Sequence, residues 1–179
     1  MTMKPEGWKK YQLGDALDVL TRFAFASEEF VEPGGTTVRL LRGDNVMQGY
    51  VRWEDAVHYP GVSTKLERFT LRHGDVVIAL DRPVTKAGLK CSVISENDLP
   101  CLLVQRVARL RSSKEVSQQY LAQVTQTESF TSYLLGNKTE TAVPHISPND
   151  LKSYAFLAPS EPAEQRRLAE ILNVWDCAI

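Results

Sequence analysis

Asp75-Val76-Val77-Ile78-Ala79-Leu80 decides how this chain folds. An acidic residue opens an unbroken apolar run that is too short for a helix and does not alternate. Such a run reads as a strand buried on both faces. Elements must therefore be found on either side to cover it. Downstream, Arg82 to Lys90 reads as a loop carrying three basic residues, and Leu102 to Leu110 as a second long strand. Ser112 with Glu115 three residues on has the form of a capping box. The helix it predicts carries Val116, Tyr120, Leu121 and Val124 on one face. A second helical stretch, Glu128 to Leu135, meets Gly136-Asn137, residues suited to a left-handed cap. Ser147-Pro148-Asn149-Asp150 starts another helix, with Pro at its first position, and Tyr154 to Leu157 is a last strand.

Upstream, Gly49 to Tyr59 has strand composition and is closed by Pro60-Gly61. Thr36 to Leu41 is β-rich, Glu32-Pro33-Gly34-Gly35 is a turn, Asp15 to Leu20 a short helix, and Trp8 to Leu13 an entry strand. The order is strands, then a helical pair, then strand and helix. It predicts an α+β fold, a twisted, mostly antiparallel sheet with flanking helices.

The last stretch is Pro159-Ser160-Glu161-Pro162-Ala163-Glu164-Gln165-Arg166-Arg167-Leu168-Ala169-Glu170-Ile171-Leu172. Ser160 is a candidate N-cap between two prolines, and Glu161 and Glu164 suit the positive end of a helix dipole. Leu168, Ile171, Leu172, Trp175 and Ile179 then recur at helical spacing. The stripe runs on without a stop signal, so a partner is expected: a second helix, a second domain or another chain. The division expected is a domain over 1–158 and the start of a long helix over 159–179.

A chain of 179 residues, 43% hydrophobic and 24% charged, fits one globular domain. No apolar run approaches the ~18 residues of a membrane span, and residues 1–6 lack the apolar core of a signal peptide. Cys91, Cys101 and Cys177 form an odd set without C-x-x-C spacing, which fits a reducing cytoplasm better than a disulfide framework or a zinc site. The net charge is −1, but unevenly spread: residues 39–114 hold 13 Lys/Arg against eight Asp/Glu, and residues 115–179 hold four against eight. A basic middle and an acidic end suit one face for phosphates and another for a protein.

No nucleophile elbow, H-E-x-x-H, P-loop or G-x-G-x-x-G is present, nor the (N/D)-P-P-(Y/F) motif of amino-methyltransferases, so no catalytic, metal or cofactor site is assigned. For DNA contact, one patch is Arg39, Arg42, Asn45, Gln48 and Arg52. It combines guanidinium forks for guanine edges or phosphates with amides for adenine edges. Arg39 and Arg52 fit a solvated strand face equally well, and Asn45 fits a turn. A second patch is Arg82, Thr85, Lys86 and Lys90, in the loop after the buried strand. A third is Asn137, Lys138 and Thr139, either a phosphate-closing loop or a helix cap. Arg106, in the strand that also holds Gln105, Arg109 and Arg111, alternates onto the face of Val104, Ala108 and Leu110 and reads as a paired structural arginine. Tyr50, Trp53 and Tyr59 read as sheet core. Cys91 and Cys101 read as inert core residues.

Several ordered segments resemble one family. Gly7-Trp8-Lys9-Lys10-Tyr11-Gln12-Leu13-Gly14-Asp15 is similar to its opening, and Arg42-Gly43-Asp44-Asn45-Val46 to an early strand exit. His73 to Leu80 resembles its central strand, Pro144 to Leu151 a later "I-S-x-x-x-L" segment, and Glu164 to Leu172 the "EQ-x-x-L-A-x-I-L" run opening its long helix. The family is the specificity subunits of type I restriction-modification systems, and the chain looks like one target recognition domain with the start of a spacer helix. The resemblance implies sequence-specific binding of double-stranded DNA without catalysis, in the service of DNA methylation and phage defence. It also implies a methyltransferase (modification) subunit as partner, a restriction subunit within the complex, and a second half or second copy paired through the terminal helix as a coiled coil. The competing readings are a protein-interaction module acting through that helix and a small cytoplasmic enzyme.

Overall fold

In the computed structural model, which describes residues 5–21, 24–113, 115–136 and 145–176, the chain enters through β1 (Trp8–Gln12), one helical turn α1 (Leu13–Ala16) and β2 (Leu17–Leu20). Next come β3 (Val38–Leu41), β4 (Val57–Tyr59) and β5 (Val76–Ala79), then the short pair β6 (Val84–Thr85) and β7 (Gly88–Leu89). β8 (Cys91–Val93), β9 (Cys101–Leu103) and β10 (Val107–Ser112) complete the central strands. α2 (Gln118–Gln126), α3 (Glu128–Leu135), α4 (Pro148–Ser153), β11 (Ala155–Pro159) and α5 (Pro162–Asp176) follow.

β5 is the divider that its sequence predicted. It lies inside the antiparallel sheet β2-β10-β5-β8, and every one of its residues is buried. Alternation sends Val76, Ile78 and Leu80 into one core and Val77 and Ala79 into another. The first core joins the sheet to the helices through Leu121, Phe130, Leu134, Leu151 and Ala169. The second joins it to the sheet β4-β3-β9 through Leu40, Leu102, Phe69 and Leu71. In that second sheet β3 runs parallel to β9 and antiparallel to β4. β1 and β11 form a separate antiparallel ladder, Trp8 opposite Pro159. The fold is α+β, with the other strand pairs antiparallel among the described residues.

Buried ions hold the central sheet at one end. Arg111 grips Asp75, itself 2% exposed, through Nε at 2.7 Å and Nη2 at 2.6 Å. The hydrogen bond to Asp75 raises the Arg111 pKa. Arg109, also buried, meets Asp18 and the carbonyl of Arg68 at 3.1 Å. Gly14 lets α1 close on α4, since a Cβ there would lie 2.9 Å from Lys152 Cβ.

Several expectations are corrected. Leu17 to Leu20 is a strand, because Leu17 turns extended after a single helical turn and the segment pairs with β10. The strand expected over Leu102 to Leu110 breaks at the polar pair Gln105-Arg106, where Arg106 adopts φ 65°. Ser112 stays in β10 and caps nothing; Ser117 caps α2 by accepting from Tyr120 N at 3.1 Å. Gly136 is right-handed, at φ −65°. Gly49 to Tyr59 forms a strand only at Val57–Tyr59. Arg82 to Lys90 is a hairpin built on β6 and β7. α5 starts at Pro162, and the Glu161 carbonyl accepts its first turns from Glu164 N at 3.1 Å and Gln165 N at 3.2 Å. Ser160 lies before it, its N–H donating to Gly7 O at 2.8 Å. The helix start at Ser147 is as expected, with a full capping box, and Thr127, which the sequence reading did not single out, caps α3 by accepting from Phe130 N.

Candidate nucleic-acid interface

The segment Arg42 to Arg52 is a closed loop organised by Asn45. Asn45 Oδ1 accepts from Arg42 N at 3.0 Å, and its Nδ2 donates to Arg52 O at 3.0 Å. Backbone bonds repeat both links, Asn45 N to Arg42 O at 2.9 Å and Arg52 N to Asn45 O at 2.8 Å. Asn45 is 2% exposed, so its amide is occupied by the loop itself. Gln48 and Tyr50 project from the loop, Tyr50 with 59% exposure rather than in a sheet core.

The hairpin after β5 packs beside this loop. Gly49 N donates to Cys91 O at 2.9 Å. Gln48 lies so close to Gly88 that a Cβ on Gly88, at φ +134°, would stand 2.7 Å from Gln48 Oε1. Two patches separate in sequence therefore form one surface. Arg82, Thr85 and Lys86 are exposed on it. Lys90 is not: it is 6% exposed and its Nζ lies 3.9 Å from Asp44 Oδ1. Burial lowers the pKa of its ammonium, with Asp44 pulling the other way.

Between the loop and the hairpin lies an open cleft of about 570 Å³, lined by Arg42, Gly43, Asp44, Asp81, Arg82, Gln105, Arg106 and His145. Asp81 joins two of its lining residues. One carboxylate oxygen meets His145 Nδ1 at 2.5 Å and the other Arg106 Nε at 3.1 Å. Arg106 is not the core-facing arginine that alternation predicted; its side chain is 70% exposed. The left-handed turn at Gln105-Arg106 reverses the alternation and turns it outward. Asp81 and His145 were not candidates either. Their signals were slight: a polar pair inside an apolar run, and a charged pair just after a buried strand.

The arginines of the first patch are partly engaged within the protein. Arg39 covers Trp53 at 4.4 Å and donates to the carbonyls of Asn97 and Leu99 at 3.0 and 3.2 Å. Arg52 faces Glu54 at 3.9 Å and Asp55 at 4.0 Å. Arg42 Nη2 donates to Asp55 O at 3.2 Å. Asn137, Lys138 and Thr139 lie outside the described residues, as do Ile179 and Cys177. Cys91 and Cys101 are buried, and burial pushes both thiols up to about 12. Along α5, Leu168 packs on the core while Ile171, Leu172 and Trp175 are exposed, Trp175 by 70%.

Compared with known proteins, the chain is 39% identical over 167 residues to the type I restriction enzyme EcoAI specificity subunit of Escherichia coli, covering 92% of this chain and 27% of that protein. It is 30% identical over 174 residues to the MjaVIII specificity subunit of Methanocaldococcus jannaschii, covering 96% of this chain and 40% of that one. The chain is a homologue of type I restriction enzyme specificity subunits. It spans well under half the length of these specificity subunits, as one domain does and consistent with one half of a subunit. No family model matches it. Its fold is that of solved type I structures. A chain of the type I R-M system superposes with a TM-score of 0.72 at 16% identity over 99% of this chain and 40% of its own length. The HsdS subunit from Thermoanaerobacter tengcongensis does so with a TM-score of 0.65 at 18% identity, over 96% and 38%. The Gln of the "EQ" run is structural: Gln165, fully buried, accepts from Ser117 N at 2.7 Å and donates to Glu115 O and Pro159 O at 3.0 and 2.8 Å. Among the described residues no helix is long and apolar enough to cross a membrane, and no three His, Cys, Asp or Glu side chains gather as metal ligands.

Proposed function

We propose that this chain is a non-catalytic target recognition domain that binds double-stranded DNA sequence-specifically, reading one half of a split target. Residues 1–158 form the recognition body, and 159–179 begin the spacer helix that docks the methyltransferase subunit and pairs with a second half or a second copy. Methyl transfer and cleavage then belong to the partner subunits. The observation carrying this reading is the convergence of the Arg42–Arg52 loop, the Arg82–Lys90 hairpin and the Gln105-Arg106 turn on one surface rich in arginine. Rigid strands carrying polar, basic loops are the usual platform for base and phosphate contacts.

The test is a duplex titration over a range of salt, with and without the modification subunit. Affinity should be weak for the chain alone, higher in the complex, and fall steeply with salt because neutralised phosphates release counterions. Absence of salt-dependent binding to any duplex in either state overturns the reading. The exposed Ile171, Leu172, Val174 and Trp175 favour the alternative of a protein-interaction module. That reading predicts partner binding without any affinity for DNA.

A further inference from the structure

We propose that Arg106 reads a guanine, with Asp81 and His145 as the residues that position it. The proposal rests on the DNA-binding reading above and adds a residue that the pattern of the sequence placed in the core. Three observations point to it. First, Arg106 is presented from a rigid base. It leaves a left-handed turn, φ 65°, between the buried strands β9 and β10, and its carbonyl accepts from Leu80 N at 2.8 Å. Arginine is disfavoured in that conformation, where glycine or asparagine is usual. A non-glycine residue held there over-determined by its surroundings is a mark of a functional position.

Second, the ion pair with Asp81 leaves the right edge free. Asp81 engages Nε, at 3.1 Å. Among the described residues neither terminal nitrogen of Arg106 has a hydrogen-bond partner. Those nitrogens are the fork that fits guanine O6 and N7 together. Asp81 is fixed in turn, by His145 Nδ1 on its other oxygen at 2.5 Å and by the backbone bridge Asp81–His145. A guanidinium drawn toward Asp81 through Nε presents its two terminal nitrogens outward, so less freedom is lost when the fork closes on a base.

Third, the charge balance of the cleft favours a base edge over a phosphate. Arg42, Arg82 and Arg106 share it with Asp44 and Asp81. The two carboxylates cancel most of the positive charge, so the cleft draws a phosphate much less than an all-arginine site would, whereas a base edge carries no net charge and needs no such surplus.

The experiment co-expresses the chain with a type I methyltransferase subunit and maps methylated sites across the host genome. Thermal melting of each variant is recorded in parallel. With Arg106→Ala, one G·C position of the methylated motif should relax, discrimination there falling about tenfold or more, while the melting temperature stays put. Asp81→Asn should relax the same position less. Arg106→Lys keeps the charge and loses the fork, so it should behave like the alanine variant. An unchanged motif in Arg106→Ala, a uniform loss of methylation at every site, or full rescue by Arg106→Lys each overturns the proposal while leaving the DNA-binding reading standing. A wild-type pair that methylates no motif overturns that reading and this one with it.

Discussion

Gln165 shows how much one buried side chain can hold. Its amide satisfies a donor and two acceptors from three different elements: the start of α2, the turn before it and the end of β11. Gln165→Ala should destabilise the chain by about 2–4 kcal/mol, since unpaired buried polar groups are left behind. Gln165→Glu should be at least as costly, because a carboxylate would face two carbonyls. Urea unfolding followed by circular dichroism measures both. Asp98 carries a pH-dependent share of stability. Burial pushes its carboxyl up, but hydrogen bonds from Ser95 Oγ at 2.6 Å, Trp53 Nε1 at 2.7 Å and Ser95 N at 2.8 Å outweigh burial and hold it below its ordinary value. A depressed folded pKa means stability that is full above the unfolded value of about 3.9 and is lost as pH falls through the folded one. Asp98→Asn should therefore cost about 1–3 kcal/mol at pH 7, and the gap to wild type should narrow below about pH 4. Parallel unfolding curves at pH 7 and pH 3.5 decide it; a gap independent of pH refutes the assignment.

The elements divide into those a sequence can announce and those it cannot. β5 was legible because burial on both faces leaves an unbroken apolar run. α4 was legible because its capping box is local chemistry. β2 was not: Leu17-Asp18-Val19-Leu20 suits one helical turn more or a short strand, and only pairing with β10 decides. The break at Gln105-Arg106 was hidden for a related reason. Two polar residues in a long apolar run look like alternation until the chain reverses. The candidate surface suffered most, since the packing of Gln48 on Gly88 and the grip of Asp81 on Arg106 join residues far apart in sequence. Lys90 looked like its basic neighbours, and only the side-by-side packing of loop and hairpin buries it. The segments of family resemblance turn out mainly to be frame: Gly14 makes room for α4, Asp75 anchors Arg111, and Gln165 ties α5 down. At this scale the terminal helix carries its own prediction. Leu172→Lys with Trp175→Lys should abolish association with a modification subunit or second copy, because both side chains are exposed, by 45% and 70%. The body should stay folded. Light scattering after size exclusion, with circular dichroism, reads the two effects separately; unchanged association refutes the docking role.

For the molecule as a whole, charge distribution matters more than net charge. The −1 total conceals the basic surplus of residues 39–114, and the fold gathers exposed members of that surplus on the loop and hairpin. Lys86→Ala should weaken binding to all duplexes alike and flatten the salt slope by about one unit. Lys90→Met should leave the slope unchanged, because its ammonium is buried beside Asp44. Equal losses in the two variants would refute this division.

The ladder of β1 with β11 has a further consequence. Trp8 lies opposite Pro159, and Ser160 N bonds to Gly7 O, so the way into the globule and the way out run on adjacent backbone. Everything between behaves as a cassette with one narrow doorway. Recombination that cuts at the doorway can exchange the whole body and leave whatever is joined to its two ends in register. On the DNA-binding reading proposed above, new specificities would then arise by transplanting intact folds as well as by altering side chains one at a time.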